Sequence, residues 1–259
     1  MTAAPTTRVH EYGVPTGALR CAVALAAAHT RLGGYALAYG SHAHGGGRAA
    51  SDLDLLFVHD QPPATACAQL VDAVIELHRR EGLDLDTEVR HDVKLCGTFD
   101  DIDHATALVG FGAPHLAVTP VSDDPEVLNA QPFRLRLFLS ALSGPHLFLA
   151  GDLTAYRRHT AAADRATAQL ALALLGTTPD FTAADAAACL LVGPDGSRGK
   201  DWLGWEPGPA LYATLHRGLA ALARSGALNA PDAGGYYRRA GAVTRDAAPT
   251  PSEAVPGPR

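Results

Sequence analysis

Long apolar runs, lysine and clustered cysteines are all scarce in this chain of 259 residues, and each scarcity removes a class of protein. No stretch of about 18 apolar residues runs without interruption, so no membrane span is expected. The opening segment, "MTAAPTTRVHEYG", has no basic start followed by an apolar stretch, so no secretion signal is expected and the cytoplasm is the expected compartment. The four cysteines, Cys21, Cys67, Cys96 and Cys189, are scattered with no CxxC pair, which fits free thiols in a reducing compartment. Positive charge is also in deficit. The formal net charge of -6 argues against a general nucleic-acid binder, while leaving room for a small basic pocket. Lys94 and Lys200 are the only lysines, whereas arginine, alanine and glycine abound, a usage expected of a GC-rich bacterial genome.

What is present organises into an α+β pattern. An alanine-rich helix is expected from Gly17 to Leu32, ended by Gly33 and Gly34. "YALAYG" reads as a short strand ending at Gly40, and "DLDLLFVHD" as a second strand with Asp52 and Asp54 on one face and Leu53 and Leu55 on the other. The two strands can pair as a hairpin or bulged ribbon. After Pro62 and Pro63, an amphipathic helix carries Cys67, Leu70, Val71, Val74, Ile75 and Leu77 and stops at Gly82. "LDLDTEV" then alternates like a third strand, with Asp84, Asp86 and Glu88 on one face. The second half reads mainly as helices: "FRLRLFLSAL", the stretch from Asp152 to Leu175, and one with Leu211, Leu215, Leu219 and Leu222 on a single face. The expected division is a mixed-sheet domain over 1–125, a helical acceptor-binding region over 126–230, and a disordered tail over 231–259.

The chemistry is concentrated in "YGSHAHGGGRAASDLDLLFV", residues 39–58. Nucleotidyl transfer needs divalent ions beside the attacking and leaving oxygens. Magnesium prefers oxygen ligands and commonly binds through one or two carboxylates plus phosphates and water. Aspartates at i and i+2 on a strand can present both carboxylates to the same ions. A preceding Gly-Ser turn can bring backbone N–H groups and a hydroxyl to the terminal phosphates, and glycine permits close approach there. A third acid on a neighbouring strand completes such a cage and can assist deprotonation of the acceptor.

The order Gly40-Ser41, ten further residues, then Asp52-Leu53-Asp54 resembles the signature of the DNA-polymerase-β-like nucleotidyltransferase superfamily. The likeness covers residues 34–90 and is closest to the bacterial small-molecule members, such as aminoglycoside adenylyltransferases, whose loop "YGSxxxGxxxxxSDxDL" matches "YGSHAHGGGRAASDLDL". The resemblance implies a mixed sheet with flanking helices, a helical region that shapes the acceptor pocket, and two Mg2+ ions. It implies that Gly40 and Ser41 cradle the β- and γ-phosphates and that Asp52 and Asp54 bind metal and carry catalysis. It places the third acid on the strand after the helix, where Glu88 is preferred, Asp86 comes second and Asp84 is the remaining option. Arg48 in the glycine-rich loop and Lys94 after the acidic strand are the expected cations for the triphosphate. The implied activity is transfer of a nucleoside monophosphate, AMP from ATP before other nucleoside triphosphates, to a hydroxyl of a small-molecule acceptor.

Other signals carry less. "GPDGSRGKD" fails as a P-loop, because five residues separate Gly193 from Gly199 and Asp201 stands where Ser or Thr would bind magnesium. His42 and His44 lack a third zinc ligand at suitable spacing. Cys189 lies in an apolar run and is expected to pack. Trp202 and Trp205 read as packing residues before stacking platforms. "FDDIDH" suits the start of a helix, and Asp152 and Glu206 are conceivable further site carboxylates. The alternatives are nucleotidyl transfer to protein or RNA, as in toxin–antitoxin pairs, a non-catalytic nucleotide-binding protein, and glycosyl transfer through an Asp-x-Asp motif.

Overall fold

The strand expected at "YALAYG" forms as β1, Tyr35–Tyr39, and its partner as β2, Asp54–His59, paired antiparallel from Tyr35↔Val58 to Tyr39↔Asp54. The computed structural model describes residues 16–43, 48, 50–61, 64–85, 95–110, 131–192 and 207–240. Its main sheet is mixed and four-stranded, in the order β3-β2-β1-β4. β3, Cys96–Thr98, runs parallel to β2, and β4, Leu147–Gly151, runs antiparallel to β1. The parallel pair requires a crossover, and helix α3, Ala64–Glu81, provides it.

Strand alternation divides two cores. Tyr35, Leu37, Leu56 and Val58 face the helices of the second half, while Ala36, Ala38, Leu55 and Phe57 face α3 and helix α1, Thr16–His29. The second face is lined by small residues on β1, and α1 meets it with Ala18, Ala22 and Ala26, so helix and sheet approach closely. α1 gives way to a single 3-10 turn, Thr30–Leu32, and stops at Gly33.

Helix α2, Gly40–Ala43, is a single turn following β1. Helix α4, Phe99–Gly110, begins where the acidic cluster suggested: the Asp101 carboxylate accepts from Thr98 N (2.8 Å) and Thr98 Oγ1 accepts from Asp101 N (3.0 Å). Helix α5 is Gln131–Ser143. Helix α6, Leu153–Leu174, is capped by the Asp152 carboxylate, which accepts from Thr154 N and Ala155 N. Helices α7, Ala183–Leu191, and α8, Pro209–Arg224, pack on α6. Leu211, Leu215, Leu219 and Leu222 are all buried, each stabilising by about 1.5–3 kcal/mol. A Cβ on Gly218 would lie 2.8 Å from the Ala168 Cβ and against the Asp164 carbonyl, so only glycine lets α8 approach α6 this closely. Arg217 ties the same pair, donating to the buried Asp164 carboxylate through Nε (2.6 Å) and Nη2 (3.1 Å).

Three features depart from the sequence reading. Leu83–Leu85, the start of the expected third strand, is not strand; residues 86–94 lie outside the described residues, and the strand beside β2 is β3. The Leu83 N–H bonds to the His78 carbonyl (2.9 Å), closing α3 past Gly82, and the Asp84 N–H bonds to the Ala50 carbonyl (2.5 Å). Those N–H groups are therefore occupied outside any ladder. Secondly, β4 comes from the region read as helical, so the second half completes the sheet and shares its core; the expected boundary at 125–126 lies outside the described residues. Thirdly, the segment expected to open a loose tail contains a strand whose residues pack back on the second half, with Arg239 Nη2 donating to the Leu172 carbonyl (2.6 Å). Strand β6, Tyr237–Arg238, pairs with β5, Asp180–Phe181; Tyr237 is buried and stacks on Phe181 at 6.0 Å. Among the described residues no helix is long and apolar enough to cross a membrane.

Candidate active site

The β1–β2 register sets the site. Tyr39 pairs with Asp54, so the residue after Tyr39 turns directly beside the first residue of β2. Gly40 makes that turn with φ +74, in the left-handed region that favours glycine. A Cβ at Gly40 would lie 2.8 Å from Cγ of Asp54 and closer still to its Oδ2. The Gly40 backbone and the Asp54 carboxylate thus stand face to face with no room for a side chain between them.

Ser41 follows. Its Oγ is buried and has no hydrogen-bond partner among the described residues, so a hydroxyl that would normally be satisfied is left unsatisfied. The loop returning to β2 closes on itself: Arg48 N donates to Ser51 Oγ (2.9 Å) and Ser51 N to the Arg48 carbonyl (3.0 Å). Arg48 is exposed, and residues 44–47 and 49 lie outside the described residues.

Asp52 and Asp54 are both half-buried, and Leu53 between them is 1% exposed. β2 begins only at Asp54, two residues later than expected, so Asp52 and Leu53 precede the strand. Asp54 shares its face with Leu56 and Val58, the face that packs on the second-half helices. Two buried histidines hold the intervening backbone. His42 bonds to the Ser51 carbonyl through Nε2 (3.0 Å), and His78 Nε2 accepts from Leu53 N (3.0 Å). The sequence pattern marks neither histidine for this role.

The remaining expected site residues divide sharply. Glu88, Asp86 and Lys94 lie outside the described residues. Asp84 is described and exposed; its N–H bond to Ala50 brings the chain after α3 alongside the loop that leads into Asp52. Among the described residues no group of three or more His, Cys, Asp and Glu is placed to hold a metal ion. The described donor set is two half-buried carboxylates, a glycine cradle and an unpartnered serine hydroxyl. That is hard oxygen chemistry, which suits magnesium with phosphate and water completing its shell.

Other candidates find structural roles or fall outside view. Asp152 caps α6, as its place before that helix implies. Burial pushes the Cys189 thiol up, the wrong direction for a nucleophile. His44, Lys200, Trp202, Trp205 and Glu206 lie outside the described residues.

A second polar cluster sits at the opposite end of β1. His159 is buried on α6, and its Nε2 accepts from Arg158 Nη2 (2.9 Å), which leaves Nδ1–H to donate to the Tyr35 hydroxyl oxygen (2.9 Å). Burial, reinforced by the Arg158 charge, lowers the His159 pKa to about 4. Burial also drives the Tyr35 hydroxyl far up. Phe99 stacks on Tyr35 at 6.3 Å, and Tyr156 meets it edge-on at 5.6 Å. Comparison of the chain with protein-family models, curated proteins and solved structures finds no match.

Proposed function

We propose that this chain is a metal-dependent nucleotidyltransferase of the polymerase-β-like type, moving a nucleoside monophosphate, AMP from ATP before other donors, onto a hydroxyl of a small-molecule acceptor. The observation that carries the reading is the apposition of Gly40 and Asp54. Gly40 and Asp54 are separate in sequence, and the strand register sets them face to face. An ordinary surface turn followed by a solvated strand edge gives no reason for a carboxylate packed on a glycine, nor for a buried serine hydroxyl without a partner.

In the proposed reaction the acceptor hydroxyl oxygen forms a bond to the α-phosphorus while the bond from that phosphorus to the bridging oxygen of pyrophosphate breaks in line. The acceptor proton passes to a carboxylate, with Glu88 preferred and Asp86 second. Asp52 and Asp54 would hold two magnesium ions, which supply charge compensation to the attacking and leaving oxygens. Gly40 admits the terminal phosphates to the backbone, Ser41 Oγ donates to them, and Arg48 and Lys94 balance their charge. Asp54 points to the same side as the second-half helices, and that is where a small acceptor would be presented.

The test is calorimetric binding of each nucleoside triphosphate, with and without magnesium, to the parent and to Asp52→Ala/Asp54→Ala. The expected result is binding of one triphosphate that needs magnesium and is lost in the double variant. A well-folded parent that binds no triphosphate in a magnesium-dependent way, with acceptor candidates present or absent, overturns the reading.

A further inference from the structure

Asp52 owes its position to backbone contacts on both sides. The β1–β2 ladder ends at Tyr39↔Asp54, and the β2–β3 ladder begins only at Phe57↔Cys96, so neither reaches Leu53. His78, projecting from α3, takes the place of the missing strand. It is 0% exposed, and its two nitrogens have partners of opposite kind. Nδ1 lies 2.8 Å from the Val74 carbonyl, which can only accept, so Nδ1 carries the proton. Nε2 is therefore the lone-pair nitrogen, and it accepts from Leu53 N at 3.0 Å. On the other side of Asp52, the Ser51 carbonyl accepts from His42 Nε2–H at 3.0 Å.

We propose that His78 and His42 are positioning residues that fix the Asp52 carboxylate for metal by clamping the peptide units on either side of it. This rests on the nucleotidyl-transfer reading of Asp52 and Asp54. The physical need is plain. Asp52 precedes the strand, so no ladder sets its φ and ψ, and a carboxylate on an unheld backbone would share its metal geometry with many others. A helix residue is a rigid anchor, because α3 is packed through Leu70, Val74 and Leu77 into the core beneath the sheet. The two rings have distinct chemical demands. His78 must offer a lone pair, whereas His42 must offer an N–H. A histidine that served only to fill space would not need both of its nitrogens matched, as those of His78 are. His42 Nδ1, by contrast, has no partner among the described residues, so one of its nitrogens does the holding.

The experiment uses the full chain with ATP and Mg2+ as the probe and reads the ratio of ATP dissociation constants without and with magnesium. His78→Leu keeps bulk and removes the acceptor; His78→Gln restores an acceptor at similar reach. His42→Leu and His42→Gln make the same pair for the donor. The leucine variants are expected to lower the magnesium ratio by about 10-fold, and the glutamine variants to stay within about threefold of the parent. A purely structural role would weaken binding with and without magnesium alike and leave the ratio unmoved. Folded leucine variants with the parent's ratio overturn the positioning role while the nucleotidyl-transfer reading stands. A parent with no magnesium-dependent binding overturns both. If the leucine variants do not fold, 15N spectra of the parent decide. A protonated Nδ1 on His78 with a slowly exchanging Leu53 amide supports the clamp, and a protonated Nε2 or a freely exchanging Leu53 amide overturns it.

Discussion

Tyr35 opens a short strand and Gly40 follows its other end, yet polar atoms fare differently around them. At Tyr35 the hydroxyl, the His159 ring and the Arg158 guanidinium bond to one another in series, inside a cage of Phe99 and Tyr156. At Gly40 the neighbouring Ser41 hydroxyl is buried with no partner among the described residues, and a carboxylate is pressed against bare backbone. A buried hydroxyl left unsatisfied costs about 1–3 kcal/mol, so the Gly40 end carries a standing penalty that the Tyr35 end avoids. Closed networks of the first kind hold a fold together. An unsatisfied hydroxyl such as that of Ser41 is what a ligand would complete.

The comparison can be broken at either end. Gly40→Ala brings the largest expected effect: its Cβ would displace the Asp54 carboxylate and its backbone must hold φ +74, so magnesium-dependent triphosphate binding is expected to fall by about 100-fold, with strain of about 1–3 kcal/mol in denaturant titration. Next comes acidification at the Tyr35 end. The folded His159 pKa of about 4 lies below the ordinary value of 6.5, so the unfolded chain takes up the proton first. Its contribution to stability is complete above pH 6.5 and is lost as pH falls toward 4. His59 and His146, also held low by burial, act in the same direction. Melting temperature is expected to drop across this window, and His159→Gln is expected to flatten the drop; an unchanged slope would remove His159 from the account. The smallest effect is the most diagnostic. Ser41→Ala is expected to raise stability by about 1 kcal/mol, since it deletes an unsatisfied hydroxyl, while weakening triphosphate binding by about tenfold. Loss of both stability and binding would place Ser41 in the closed class with Tyr35.

Local patterns were legible in the sequence where the cause is local. Gly40 closes β1, Asp152 caps α6, and the leucine stripe of α8 is buried, all as their spacing implies. What the sequence hid depends on distant partners. "LDLDTEV" has strand alternation, but Leu83 closes the preceding helix and Asp84 bonds back to Ala50, so its first residues leave the sheet. β4 is short and wedged between helices, and it becomes a strand because β1 offers it an edge. Tyr237 sits in a run rich in Ala, Gly and Pro, and its stack on Phe181 is invisible without the fold. His78 and His42 acquire their roles from residues on another element; a histidine in a helix carries no local sign that its lone pair meets the backbone beside Asp52.

The return of β4 to the sheet bears on how the molecule assembles. β1 has β2 on one side, the next strand in the chain, and β4 on the other, with Ala38 paired to Leu147 far along the sequence. The first pairing closes cheaply; the second must wait for the intervening chain, because closure entropy grows with loop length. A chain emerging from synthesis therefore presents β1 with one edge unpaired until Leu147–Gly151 arrives, and in that interval it is open to pairing with another copy. The two halves are in this respect one cooperative folding unit, and the strand that begins the candidate site is among the last to be enclosed.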